Sequence, residues 1–153
     1  MKTIQRRSIF KKVLASVAGF TGLAKLAEAK AINSLEKEAH DITLYQDTPL
    51  YTGFTKLGNL VFLSGIGAHF DGDAKAHASH VLKELEKTLQ NAGSSMEKVL
   101  KVNVYLHDLN DYKAMNEVYK GLFGHKPPVR TTVATYNGVP NNSWVEIDCI
   151  AYV

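Results

Sequence analysis

Between residues 75 and 92, apolar side chains recur at 78, 81, 82, 85, 89 and 92. That three-and-four spacing lines one face of an α-helix. Glu84 and Glu86 alternate with Lys83 and Lys87 on the wet side, and Gly93 supplies a stop, so a helix is predicted over Lys75–Ala92. A second helical stripe, Met115, Val118, Tyr119 and Leu122, predicts a helix over Asp111–Phe123, capped by Asp108 or Asn110 and stopped by Gly124. Elsewhere the period drops to two. Tyr51–Leu57 and Leu60–Ser64 read as a β-hairpin around Gly58-Asn59. Val99, Val102, Val104 and Leu106 mark a strand within "KVLKVNVYLHDL". Two more strands, Arg130–Tyr136 and Trp144–Tyr152, flank the turn-rich "NGVPNNS". Ala31–His40 reads as a polar lead-in. The predicted order is β-β-α-β-α-β-β, an α+β domain with both helices on one face of a mixed sheet. Such a sheet leaves its second face to be covered, which favours self-association.

Charge separates the front of the chain from the rest. The first 29 residues hold six of the 18 Lys/Arg and one of the 15 Asp/Glu, leaving 12 bases against 14 acids in residues 30–153. A slightly acidic body gives no reason to expect a nucleic-acid partner. The basic front has the order of an export signal: Arg6-Arg7, an apolar run over Val13–Ala24, then Ala27-Glu28-Ala29 as a cleavage site. The adjacent arginines resemble a twin-arginine signal, with Gln5 standing where a small hydroxyl residue is usual. Twelve apolar residues are too few for a stable membrane span. Residues 1–29 are therefore expected to be a signal peptide sending residues 30–153 to the periplasm or beyond. If the signal is silent, the protein stays cytoplasmic.

Most routes to chemistry find no support. Neither the phosphate-cradling G-x-x-x-x-G-K-[ST] nor G-x-G-x-x-G occurs. His77 and His80, with His69 nearby, lack further ligands at a fixed spacing, so a solvated helix end is the expected role and no metal is assigned. Cys149, the single cysteine, alternates with Val145 and Ile147 and is expected to be a buried hydrophobe. The remaining candidates are in "KPPVRTTVATYNGVPNNSWVEIDC". Glu146 and Asp148 share one strand face, opposite Val145, Ile147 and Cys149. Arg130 follows a rigid Pro-Pro corner and is suited to grip a carboxylate with two N–H groups. Spacing alone favours a structural Arg130–Glu146 pair across adjacent strands, because such charge pairs are common.

Three blocks, "LGNLVFLSG", "KVNVYLHDLNDYKAMNEVYKGLF" and "PPVRTT…VEIDCIA", resemble the RidA/YjgF family of reactive-intermediate deaminases over about residues 45–153. The resemblance implies a chorismate-mutase-like fold of the bacillus type. It also implies a homotrimer with sites between subunits, and no metal or organic cofactor. The implied reaction is hydrolysis of 2-imino acids or enamines, such as 2-aminoacrylate, to 2-keto acids and ammonia. It further implies that Arg130 holds the substrate carboxylate and Glu146 positions or activates water. Tyr51, Gly65, Asn116, Tyr119 and Thr132 would line the site. Ile66 replaces the usual Gln after Ser64-Gly65, and Leu50 a residue that is often Pro. A non-catalytic trimer that binds small keto acids or other carboxylates is the alternative.

Overall fold

The computed structural model of the protein describes residues 36–153; the signal expected over residues 1–29 lies outside them. The strands are β1 (Glu38–Tyr45), β2 (Thr48–Leu57), β3 (Leu60–Ile66), β4 (Val99–Leu106), β5 (Val129–Ala134) and β6 (Val145–Tyr152). The helices are α1 (Ala74–Asn91) and α2 (Tyr112–Tyr119). The six strands form one mixed sheet in the order β1-β2-β3-β6-β4-β5. Every pairing is antiparallel except that of β4 with β5.

The predicted α+β architecture holds, with one strand more than expected. Residues 38–45, the first three of them assigned to a polar lead-in, pair with β2 around a turn in which Gln46 and Asp47 both have positive φ. Two consecutive left-handed residues match the right-handed twist of a tight hairpin. The strand escaped the sequence pattern because it is an edge strand with few buried positions, so no in/out alternation was imposed on it.

α1 forms where its stripe predicts, and Ala78, Val81, Leu82, Leu85, Leu89 and Ala92 are all buried. Asp73 caps it by accepting the Ala76 N–H at 2.7 Å. Val102, Val104, Leu106, Val145, Ile147, Cys149 and Ala151 meet this stripe from the sheet. α2 is shorter than predicted. Lys120 leaves helical geometry and Gly121 turns left-handed, so Leu122 and Phe123 lie beyond the helix. Asp108 does act as a cap, accepting the Asn110 N–H ahead of a one-turn 3-10 segment that leads into α2.

Candidate functional site

The strand order places the candidate residues. β6 lies between β3 and β4, so β5 and β6 are not neighbours. Arg130 aligns with Val102, and Val102 with Cys149, whereas Glu146 aligns with Tyr105. Aligned residues on paired strands share a face. Arg130 therefore projects with the core residues toward the helices, and Glu146 projects from the open face. The cross-strand Arg130–Glu146 pair that spacing allowed does not form within one chain: the two residues lie two strands apart and on opposite sides of the sheet.

The seven candidates fall into two groups. The first surrounds Arg130 on the β5 edge. Its Nη1 donates to Asn116 Oδ1 at 2.8 Å, and its Nη2 donates to the Tyr112 hydroxyl at 3.0 Å. The guanidinium carbon lies 4.6 Å from the centre of the Tyr119 ring, close enough for a cation–π contact. Tyr112, Asn116 and Tyr119 follow the i, i+4, i+7 spacing of one helical face, which aims all three at β5. Among the described residues, two of the five guanidinium N–H groups are used in holding the fork and three have no partner. Thr132 shares the Arg130 face two residues on. Its hydroxyl and that of Tyr119 are buried without a partner among the described residues. Burial pushes the Tyr119 phenol up to about 12, against the pull of the Arg130 cation.

The second group lies on the open face. Gly65 sits at an irregularity in the β3–β6 register, against the Glu146 side chain. A methyl group at Gly65 would overlap the Glu146 carboxylate, so glycine is what leaves that side chain its present position. Glu146 is half-buried and lines a cleft of about 130 Å³ with Tyr105, Thr135, Val139 and Pro140. Burial raises its pKa above the usual carboxylate range; Asp148 adds to the rise and His69 opposes it. Tyr51 lies on β2 and is exposed, at the same end of the sheet as Glu146 but two strands away.

Four positions were missed or misjudged from sequence. Tyr112 holds Arg130, and its helical spacing from Asn116 and Tyr119 was the available signal. Asn103 and Tyr105 face the acidic pair from β4, and the alternation Val102/Val104/Leu106 had already put them on the open side. His77 is not a solvated helix end. It is buried, with Nε2 donating to the Phe70 carbonyl at 2.8 Å and Nδ1 accepting the Trp144 N–H at 3.1 Å. It ties the loop after β3 to the start of β6. Cys149 is buried as expected, with its thiol pushed up to about 12 by burial.

The family model of endoribonuclease L-PSP matches residues 46–153, so β1 lies upstream of the matched region. A 3-aminoacrylate deaminase RutC of Acinetobacter baylyi is 34% identical over 124 residues, 74% of this chain and 98% of that protein. A 2-iminobutanoate/2-iminopropanoate deaminase of Dermatophagoides farinae is 31% identical over 110 residues, 67% of this chain and 85% of that protein. The crystal structure of a YjgF-family protein from Neisseria meningitidis superposes with a TM-score of 0.69 at 27% identity, covering 77% of this chain and 95% of that one.

Proposed function

The chain belongs to the endoribonuclease L-PSP family, in which the RutC and YjgF proteins fall, and from that premise we propose that it hydrolyses small imino or enamine carboxylates to keto acids and ammonia. The observation that carries this reading is the Arg130 fork, held by Asn116 and Tyr112 over the Tyr119 ring with three N–H donors to spare. A planar guanidinium fixed in this way matches a carboxylate bidentately.

The proposed site spans two protomers. Arg130 and Glu146 cannot reach one substrate from opposite faces of one sheet, so Arg130 of one copy faces Glu146, Gly65 and Tyr51 of the next. A closed ring of three copies would repeat this contact three times. Exposed Ile42, Leu44, Leu50, Phe62, Val129 and Val133 give such a ring apolar surface to bury. The ribonuclease of the family's name is the weaker reading, because residues 30–153 carry 12 bases against 14 acids.

In the proposed reaction Arg130 holds the carboxylate beside a water molecule. Water oxygen adds to the C=N carbon. The π electrons move to nitrogen, which takes a proton from Glu146, and the resulting carboxylate takes one back from the added water. The carbinolamine then collapses. Its C–N bond breaks, nitrogen leaves as ammonia with the Glu146 proton, and the hydroxyl proton returns to Glu146 as the carbonyl forms. Acid–base assistance of this kind contributes roughly 10²–10⁴-fold. A backbone carbonyl near Arg130 or Gly65 is the proposed partner of the imine nitrogen.

The test generates imino acids in situ with an amino-acid oxidase and traps them with semicarbazide. Adding the protein should lower the trapped product, and Arg130→Ala should abolish that effect while the oligomer persists. An Arg130→Ala variant with wild-type turnover would refute the reading. Saturable keto-acid binding without turnover would favour the non-catalytic carboxylate binder. We also propose that residues 1–29 direct export. Replacing Arg6 and Arg7 with Lys should leave the protein in the cytoplasmic fraction; unchanged fractionation would refute that assignment.

A further inference from the structure

Glu146 and Asp148 are two residues apart on one face of β6, roughly 7 Å between α-carbons, yet their surroundings differ. Asp148 Oδ1 accepts the Asn103 side-chain N–H at 2.8 Å, and Oδ2 accepts the Tyr105 hydroxyl at 3.0 Å. Asn103 lies directly opposite Asp148 across the β4–β6 pairing, and Tyr105 directly opposite Glu146. Tyr105 thus turns its hydroxyl diagonally to Asp148 rather than to the carboxylate facing it. Both polar side chains that β4 aims at this pair are engaged by the same member of it. Donated hydrogen bonds favour the ionised form of a carboxyl group.

We propose that Asp148, locked by Asn103 and Tyr105, is a positioning residue that makes Glu146 the proton carrier of the site. The inference rests on the deaminase reading above and deepens it. Two like charges this close do not ionise independently. The Asp148 carboxylate is held in place by two donors, and its charge favours a proton on Glu146. Environments that push two neighbouring carboxyl groups apart assign them different roles. Asp148 is the fixed neighbour, and Glu146 gives a proton to the departing nitrogen and recovers one from the added water. The raised pKa of Glu146, with burial first and Asp148 second among its causes, agrees with this division.

The other groups facing Glu146 do not reverse it. β4 presents Tyr105, with Lys101 further along the strand beside Ile150. β3 presents Gly65, which carries no charge. The loop after β3 presents His69, which opposes the effect of Asp148. Arg130 of the same chain is on the other side of the sheet.

The experiment follows the Glu146 carboxyl by ¹³C NMR across pH in the intact protein, its signal identified by loss in Glu146→Gln. The pH profile of kcat/KM is recorded alongside. Asp148→Asn, confirmed folded by its thermal transition, should move the Glu146 midpoint to lower pH. The limb of the rate profile that requires protonated Glu146 should move with it. Tyr105→Phe removes one of the two donors that hold Asp148, so the Glu146 midpoint should move the same way by a smaller amount. A Glu146 midpoint unchanged in both variants would overturn the proposal; if Asp148→Asn does not fold, Tyr105→Phe decides alone. A wild-type protein with no turnover would refute the deaminase reading instead, and the NMR titration would still decide the coupling.

Discussion

Gly65→Ala separates a requirement for space from a requirement for stability. A β-carbon built on Gly65 lies 2.7 Å from Glu146 Cδ and 3.1 Å from its Cγ, and overlaps Oε1. Something must move, and the nearest atoms belong to a flexible side chain rather than to backbone. Glu146 can swing aside into a poorer rotamer at about 0.5–1.5 kcal/mol. The urea unfolding free energy should therefore fall by only about 1 kcal/mol. Activity should fall far more, because a displacement of about 1 Å at a catalytic group costs roughly 10²-fold, equivalent to about 2.7 kcal/mol of transition-state stabilisation. The semicarbazide competition assay reads the rate, and urea titration reads stability. In an Glu146→Ala background the methyl group has room, so Gly65→Ala should cost almost nothing there, which a double-mutant cycle would show as coupling. A Gly65→Ala protein with wild-type turnover, or with the same stability loss in both backgrounds, would refute the placement of Gly65 against Glu146.

Three further perturbations test other contacts. Ser143 is fully buried, accepts the Ala68 N–H at 2.9 Å and donates to the Val145 carbonyl at 2.7 Å. Ser143→Ala orphans a buried donor and should lower stability by about 1–3 kcal/mol in urea; no loss would mean that the bond is not made. Tyr119→Phe deletes a buried hydroxyl that has no partner among the described residues but keeps the ring beneath Arg130. Its stability should be unchanged or slightly higher, and a loss above about 1 kcal/mol would reveal a hidden hydrogen bond. The raised pKa of Glu146 means that the folded state holds this proton more tightly than the unfolded chain. Its contribution is complete below the ordinary Glu pKa and is lost as pH rises through the higher folded value. Urea titrations across that window should show the wild type losing stability relative to Glu146→Gln as pH rises; the opposite slope would refute the assignment.

Local patterns were readable wherever burial had imposed them. The α1 stripe and the alternation of Val145, Ile147 and Cys149 against Glu146 and Asp148 both reflect one apolar face. β1 carried no such mark, because its side chains remain largely exposed on both sides. The helical spacing that places Asn116 and Tyr119 beside Arg130 was equally legible, and Tyr112 belonged to it. The separation of Arg130 from Glu146 was not. It depends on β6 entering between β3 and β4, a long-range choice that neither strand's own residues encode. Asp148 is the intermediate case. Its face was evident from alternation, but its hydrogen-bond partners required the register that sets Asn103 and Tyr105 opposite.

The placement of Arg130 and Glu146 on opposite faces has a genetic consequence. For a site shared between copies, the Arg130→Ala and Glu146→Gln proteins are each inactive alone, but each supplies the half the other lacks. Co-expressed in equal amounts and assembled at random, they should regenerate about one quarter of the wild-type number of sites. Two null alleles would then complement one another in a single cell, whereas an allele carrying both changes would rescue neither.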